Sequence, residues 1–308
     1  MNIVFFGSPE FAVPSLHILN NSKYKIKAIV TTPDKPSGRG MKINYPIIKK
    51  EGKILKYPIY QPVDLNDNDF LSSLKKLNAD IFIVVAFRVL PHEIFSLPKY
   101  GAVNLHASVL PKYRGSSPIH RAILNGDKTT GVSTFQISES VDKGNIFLQK
   151  HYTIDQNANM GRVYYDLSKL GAELLLETID GIFSNTLKPM KQDNKIASNA
   201  FKLKKNEYII NWNETNINIH NKIRALSPYP GAYTILNKKR IKLFESIIPP
   251  ETIKYLKPGE IFCDNDSIII GTGLDNIAVK SIQVEGKKRL LVKEYLKGNN
   301  ILNEKYFT

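Results

Sequence analysis

The sequence has very little cysteine: one residue, Cys263, among 308. A single thiol excludes a disulfide within the chain and a zinc site built from several cysteines. We therefore expect a reducing, cytoplasmic location and no bound metal. The sequence also lacks an apolar run of about 20 residues, the length that a membrane-spanning helix requires. Its opening, MNIVFFGSPEF, has no basic segment and no cleavage pattern, so we expect no signal peptide and no membrane association.

Two nucleotide-binding motifs are absent as well. FFGSPEF follows an apolar strand pattern, but it has one glycine where a dinucleotide-binding turn has G-x-G-x-x-G. Pro9 also lacks the amide hydrogen that could bind a pyrophosphate. No G-x-x-x-x-G-K-[ST] loop occurs in the sequence. These absences argue against NAD and ATP as ligands.

Basic residues are abundant and unevenly distributed. The formal net charge is +15 at neutral pH. Residues 23–56 contain ten Lys or Arg and two acidic residues, and residues 201–308 contain 18 Lys or Arg and 11 acidic residues. Such clusters favour a polyanionic partner such as nucleic acid. Compositional drift toward Lys, without any functional cause, is an alternative explanation of the total charge. Drift predicts an even distribution of basic residues along the chain, whereas the observed distribution is uneven.

Strand patterns alternate with helical patterns over roughly the first 180 residues. MNIVFFG, YKIKAIVTT, ADIFIVVAFRVL and GAVNLHASVLP predict strands, and GRVYYDLSKLGAELLLETIDGIF predicts a long amphipathic helix. This alternation predicts an α/β fold with a Rossmann-like, doubly wound, mostly parallel sheet. TTGVSTFQIS and NIFLQKHYTI follow each other without a helix between them, so we expect antiparallel pairing there.

The pattern changes in the last third of the chain. We predict a first domain over residues 1–188, a linker over 189–206, where apolar periodicity is lost, and a second domain over 207–308. The second domain contains one helical segment and several short strands separated by turns. This pattern predicts a smaller, mainly β domain resembling an OB-like barrel.

The segment PDKPSGRGMKINYP, residues 33–46, contains two prolines and two glycines within its first ten residues. Proline and glycine interrupt regular structure, so we predict a long, irregular, basic loop.

Asn104 and His106 are the first candidates for catalysis. They lie two positions apart on a predicted strand, so their side chains share one face. The strand runs into the turn SVLPKYRG, at the sheet edge where α/β proteins bind ligands. A carboxamide can bind an oxygen that gains negative charge, and an imidazole can move a proton. Asp142, in the turn SVDKGN, is a candidate carboxylate for orienting the imidazole. An isolated N-x-H pair more often serves to bind neighbouring loop backbone.

The pair is part of a longer pattern, however. The string N-x-H-x-S-x-L-P-x-Y-R-G-x-x-P-I, followed by D-x-G, resembles the signature of the formyltransferases that use 10-formyltetrahydrofolate. VFFGSPEFAVPSL, TTPDKPSGRGMK and INWNETNINIHNKIRALSPYPGAYT resemble members of that family that formylate methionyl initiator tRNA, and the resemblance covers essentially the whole chain.

The resemblance implies a function and a set of site residues. The chain would transfer a formyl group from 10-formyltetrahydrofolate, as co-substrate, to the α-amino group of methionyl initiator tRNA through a tetrahedral adduct, as a monomer without a metal. Asn104, His106 and Asp142 match the catalytic residues. The positions that match folate-binding segments are Ser108, Val109, Leu110, Pro111, Phe87, Arg88, Val89 and Leu90. Arg39 matches a loop arginine that meets the tRNA acceptor end, and we assign its basic neighbours Lys35 and Lys42 to the same contact.

Two alternatives remain open at this point. A formyltransferase acting on a small amine, such as a sugar nucleotide or glycinamide ribonucleotide, would share the catalytic residues but would not need a long basic loop. A non-catalytic RNA-binding protein with the same fold would have no need of Asn104, His106 and Asp142 in this order.

Overall fold

The fold is seen in a computed structural model that describes residues 1–37, 42–249, 255–264, 266–298 and 306–307. The chain divides into two compact units, each of which has its own sheet. The first unit consists of Met1–Ser116, Thr130–Tyr152 and Tyr164–Ala200, and the second of Ser117–Thr129, Thr153–Val163 and Phe201–Thr308.

The regular elements of the first two hundred residues alternate as the sequence predicts. The strands are β1 Asn2–Gly7, β2 Lys25–Val30, β3 Lys35–Ser37, β4 Lys42–Asn44, β5 Ile59–Tyr60, β6 Ile81–Val85, β7 Ala102–His106, β8 Thr129–Gln136 and β9 Ile146–Thr153. The α-helices are α1 Val13–Asn20, α2 Ile47–Ile54, α3 Asn68–Lys76, α4 His92–Phe95, α5 Pro118–Leu124 and α6 Met160–Phe183.

Seven of these strands form one sheet in the order β5-β2-β1-β6-β7-β8-β9. β1 pairs in parallel with β2 and β6, β6 pairs in parallel with β7, and β8 is antiparallel to β7. All five residues of β6, IFIVV, are buried, as expected for a strand covered on both faces. The carboxyl ends of β1, β6 and β7 therefore lie side by side at one edge of the sheet.

One prediction about this half of the chain is wrong. Residues 33–46 are not wholly irregular, because β3 and β4 form a two-stranded antiparallel ribbon in which Lys35 pairs with Asn44 and Pro36 with Ile43. A proline is compatible with a two-stranded ribbon because each strand has an outer edge that needs no amide donor. The tip of the segment, residues 38–41, lies outside the described residues.

The second unit contains α7 and an antiparallel sheet. Its elements after residue 200 are α7 Asn216–Ala225, β10 Ala232–Leu236, β11 Lys239–Ile247, β12 Ile261–Cys263, β13 Ile268–Gly271, β14 Asn276–Val284, β15 Leu290–Leu291 and α8 Val292–Gly298. The strand order is β10-β11-β14-β13-β12, and β15 also pairs with β14. Trp212 packs inside this unit, where its indole Nε1 donates to Thr234 Oγ1 over 3.0 Å and its ring stacks on Phe307. The predicted fold class, a mostly parallel α/β sheet followed by a smaller, mainly β domain, is confirmed. Within the described residues, no helix combines the length and apolarity needed to cross a bilayer.

Candidate active site

The carboxyl ends of three neighbouring strands bring the candidate residues together. Gly7 at the end of β1 pairs with Val85 at the end of β6, and Val84 pairs with Asn104 on β7. Asn104 is half-buried. Its Oδ1 atom is buried, yet it has no hydrogen-bond partner among the described residues. A buried carboxamide oxygen without a partner costs free energy, so this atom is a place where a ligand donor can bind.

His106 lies two residues further along β7, and both of its ring nitrogens face protein groups. Nε2 lies 2.8 Å from the carbonyl oxygen of Tyr113. Because a carbonyl oxygen only accepts, Nε2 carries the proton in this hydrogen bond. Nδ1 lies 3.7 Å from Oδ2 of Asp142. This distance allows a charge interaction but is too long for a direct hydrogen bond. The side chains of His106 and Asp142 are 8% and 10% exposed, so water screens their interaction weakly.

A tight turn holds the carboxylate of Asp142. Asp142 adopts a positive φ of 54°, which aspartate tolerates better than most residues. Its Oδ2 accepts a hydrogen bond of 2.8 Å from the amide of Gly115. Gly115 has a φ of +119°, and a Cβ at this position would lie 2.9 Å from the carbonyl oxygen of Ala200. The R-G step of the sequence pattern is therefore needed to bring this amide to Asp142.

The predicted folate segment 108–111 leaves β7 and folds beside the imidazole. Ser108 Oγ donates to the carbonyl of Lys112 over 2.6 Å. The amide of Leu110 donates to Ser133 Oγ, which in turn donates to the carbonyl of Ser108. Ser108 and Leu110 are buried and Val109 is half-buried. Pro111 accepts a hydrogen bond of 3.3 Å from the amide of Ser198.

The second predicted folate segment, residues 87–90, follows the end of β6. Arg88 donates through its guanidinium to the carbonyls of Pro62 and Val63 and lies over the ring of Phe87. Burial lowers the pKa of Arg88 from its ordinary value, and the charge of Asp64 partly opposes this. The guanidinium of Arg88 is thus bound to the backbone of the loop that contains Pro62 and Val63. In the same segment, Val89 is 68% exposed and Leu90 is buried.

Two of the three predicted tRNA-binding residues lie on the β3–β4 ribbon. Lys35 is exposed at the start of β3, and Lys42 is the first residue of β4. Arg39 lies outside the described residues.

Two family profiles match the chain. The family profile described as Formyl transferase matches residues 1–179. The profile described as Formyl transferase, C-terminal domain, matches residues 202–300.

The chain belongs to the formyl transferase family.

Relatives within this family resemble the chain over nearly its whole length. A methionyl-tRNA formyltransferase of Thermodesulfovibrio yellowstonii is 43% identical, with 97% of this chain and 96% of the relative covered. A methionyl-tRNA formyltransferase of Pelotomaculum thermopropionicum is 39% identical, with the same two coverages. The resemblance to formyltransferases that act on methionyl-tRNA, predicted from the sequence, is confirmed.

A solved formyltransferase structure shares the fold. The structure of WlaRD, a sugar 3N-formyl transferase in the presence of dTDP and 5-N-formyl-THF, superposes with a TM-score of 0.68. It covers 94% of this chain and 99% of its own, at 24% sequence identity. At this identity the likeness supports the fold alone.

The residues at the ends of β6 and β7 suit the binding of a formyltetrahydrofolate donor. The buried Oδ1 of Asn104, which has no hydrogen-bond partner among the described residues, is a polar anchor on β7, and Phe87 and Val89 supply apolar surface after β6. Such a combination, apolar surface with a few convergent polar groups, is typical of small-molecule sites.

Several residues that shape the candidate site were not predicted from the sequence. Ser133 on β8 and Ser198 beyond α6 both hold the backbone that surrounds His106. Gln192 contacts the turn of Asp142. Serine and glutamine in polar segments carry no periodic signal, so only the folded chain reveals these contacts.

Proposed function

We propose that the chain transfers a formyl group from 10-formyltetrahydrofolate to the α-amino group of methionyl initiator tRNA, in translation initiation in the cytoplasm. The observation that carries this proposal is the placement of Asn104 and His106 on one face of β7 with Asp142 beside the imidazole, the buried Asn104 Oδ1 having no hydrogen-bond partner among the described residues. The near full-length similarity to methionyl-tRNA formyltransferases supports the choice of acceptor.

Asn104 orients both reacting groups in this proposal. The carboxamide has a donating nitrogen and an accepting oxygen, so it binds two partners at once. Its Nδ2 donates to the formyl oxygen as negative charge grows there, and its Oδ1 accepts from an N–H of the attacking amine. The strength of such donors at a developing oxyanion comes from their fixed orientation in a site that excludes water.

His106 moves the proton, and we assign this role to Nδ1. Nε2 is engaged with the Tyr113 carbonyl at 2.8 Å, so Nδ1 is the ring nitrogen whose lone pair can accept a proton. The amine must lose a proton as it attacks, and the leaving nitrogen must gain one. Asp142, with Oδ2 at 3.7 Å, stabilises the imidazolium that exists between these two transfers.

10-Formyltetrahydrofolate supplies the one-carbon group. We propose that the segment 108–111 and the segment 87–90 border it, since both follow strands that end beside Asn104. Backbone groups of these segments would bind the pterin polar edge, and Phe87 and Val89 would cover its ring.

The tRNA contacts are proposed for the basic surfaces. Lys35, Arg39 and Lys42 would bind phosphates near the acceptor end, and the basic second domain would bind the tRNA body. We propose a catalytic domain over residues 1–188, a linker over 189–206 and a tRNA-binding domain over 207–308, acting as a monomer.

One assay tests the acceptor. The protein is incubated with labelled 10-formyltetrahydrofolate and, in parallel, with methionyl initiator tRNA, an amino sugar nucleotide or glycinamide ribonucleotide. We expect label on the tRNA alone. Label on a small amine and not on tRNA would replace this proposal with the small-molecule alternative. RNA binding without transfer to any acceptor would indicate a binding protein.

A further inference from the structure

The polar segment that follows α6 packs against the loop that contacts His106. The amide of Tyr113 donates to Ser198 Oγ over 2.9 Å. The amide of Arg114 donates to the carbonyl of Ser198 over 2.9 Å, and the amide of Ala200 donates to the carbonyl of Arg114. Since the Tyr113 carbonyl accepts from His106, this segment fixes one of the two partners of the imidazole.

Gln192, on the same segment, contacts the turn that carries Asp142. It is 5% exposed, and its Nε2 donates to the carbonyls of Asp142 over 2.8 Å and Gly144 over 2.7 Å. Both hydrogens of the amide group are therefore used on the backbone of this turn. Gly144 itself leaves little room for adjustment, because a Cβ there would lie 1.6 Å from the carbonyl oxygen of Gln136.

The guanidinium of Arg114 determines which way the amide of Gln192 points. Arg114 is 7% exposed, and its Nε and Nη2 both donate to Gln192 Oε1, over 3.1 and 2.7 Å. Nη2 also donates to Asn194 Oδ1 over 2.9 Å. A guanidinium only donates, so the amide oxygen must face Arg114 and the amide nitrogen must face the Asp142 turn.

We infer that Gln192 is a positioning residue for formyl transfer, which holds the Asp142 turn to the Tyr113–Gly115 loop so that the carboxylate stays beside His106 Nδ1. The inference rests on the proposed roles of His106 and Asp142. Glutamine suits the position because it offers two donors and one acceptor in one plane. Aspartate and glutamate lack the donors, and the shorter asparagine cannot reach from the same backbone.

The substitution Gln192→Glu tests whether Gln192 positions the Asp142 turn. Glutamate keeps the size and the acceptor for Arg114, so the pair with the guanidinium remains. It also places a negative oxygen against the carbonyls of Asp142 and Gly144, which pushes the turn away. We expect kcat to fall by about 10- to 100-fold, the scale of a small misplacement of a catalytic group, with each KM within about twofold. We expect the melting temperature to fall by a few degrees, because two buried carbonyls lose their donor, while the protein stays folded at the assay temperature.

The control with the same chemical change is Gln156→Glu. Gln156 is exposed in the turn between β9 and α6, outside the segments that surround His106. We expect this variant to keep the wild-type kcat.

A double-mutant cycle with Asp142→Ala gives the decisive readout. Once the carboxylate is removed, its position no longer matters, so Gln192→Glu should cause no further loss of kcat. Equal losses on both backgrounds, an unchanged kcat in Gln192→Glu, or a raised KM at unchanged kcat would overturn the inference. If Gln192→Glu does not fold, Arg114→Lys, which frees the amide to rotate, takes its place in the same cycle.

The assay of the wild type distinguishes a failure of the Gln192 inference from a failure of the proposed function. If the wild type formylates a small amine and not the tRNA, the acceptor proposal fails and the cycle is measured with that amine. If the wild type formylates the tRNA and the cycle is additive, the role of Gln192 fails alone.

Discussion

The imidazole of His106 donates from Nε2 to the carbonyl oxygen of Tyr113 over 2.8 Å. This contact fixes the ring plane and the tautomer through a backbone atom, and it leaves Nδ1 facing Asp142. The carboxylate of Asp142 therefore lies 3.7 Å from a ring whose orientation the Tyr113 carbonyl already fixes. The Tyr113 carbonyl and the Asp142 carboxylate thus face opposite nitrogens of one ring.

Removing the imidazole should stop the chemistry and spare binding. We expect His106→Ala to lower kcat by about 10²- to 10⁴-fold, the usual contribution of a positioned proton carrier. Single-turnover transfer measures the chemical step, and filter binding measures tRNA affinity, which should stay within about twofold because the β3–β4 ribbon is unchanged. The exposed His151 on β9 is the control, and His151→Ala should behave as the wild type. A parallel loss of tRNA affinity in His106→Ala would contradict this division.

Replacing the carboxamide of Asn104 by a carboxylate tests its role as a donor. Asn104→Asp preserves size but removes Nδ2–H and places a negative oxygen where charge develops. We expect kcat to fall by about 10²- to 10³-fold, the effect of deleting one oxyanion donor. Steady-state kinetics at saturating donor would measure it, with Asn66→Asp on an exposed loop as the control. Wild-type kcat in Asn104→Asp would rule out a hydrogen bond to the formyl oxygen.

Charge reversal on the β3–β4 ribbon should weaken tRNA use alone. We expect Lys35→Glu to raise the KM for methionyl-tRNA by about tenfold and to reduce the salt dependence of kcat/KM, because one phosphate contact is lost. The KM for the formyl donor should not change. The exposed Lys188, which lies beyond α6, provides the control reversal Lys188→Glu. If both charge reversals raise the KM for methionyl-tRNA equally, the increase comes from the lower total charge of the protein and not from loss of a contact at the ribbon.

Acid should destabilise the second unit through His220. Burial lowers the pKa of His220, the nearby Arg224 lowers it further, and the hydrogen bond to the Gln156 carbonyl partly opposes them. The folded state thus holds this proton less tightly than the unfolded state, whose pKa is near 6.5. The stabilisation is complete above that value and is lost as the pH falls toward the lowered pKa.

Thermal unfolding of the wild type and of His220→Gln measures this effect. The melting temperature of the wild type should fall more between neutral pH and about pH 5 than that of the variant. His151→Gln removes an exposed histidine and should keep the wild-type pH dependence. If the melting temperatures of the wild type and of His220→Gln fall in parallel with pH, His220 is excluded as the cause of the acid destabilisation.

Local patterns predicted much of this structure. The apolar run ending in Gly7, the buried strand β6 and the long helix α6 follow directly from hydrophobic periodicity. Placing Asn104 and His106 on one strand face needed only the two-residue repeat of a strand.

The remaining features depend on contacts between distant segments. Asp142 is 36 positions from His106. Its turn between two strands made it a candidate, and the family resemblance supported the choice, because local sequence does not encode which distant residues meet. The ribbon of β3 and β4 was missed because the proline and glycine content outweighed the short alternation around it. Gln192 was assigned to a linker because its polar neighbours show no period, although its side chain is buried.

The position of Gln192 along the chain bears on where this protein can be cut. The N-terminal family match ends at residue 179, before Gln192 and Ser198. A fragment stopping there would carry every side chain assigned to chemistry, yet it would lose the hydrogen bonds from Gln192 to the Asp142 turn and from Ser198 to the Tyr113 loop. Any excised half intended to retain turnover must therefore extend to about Ala200, where the first unit ends.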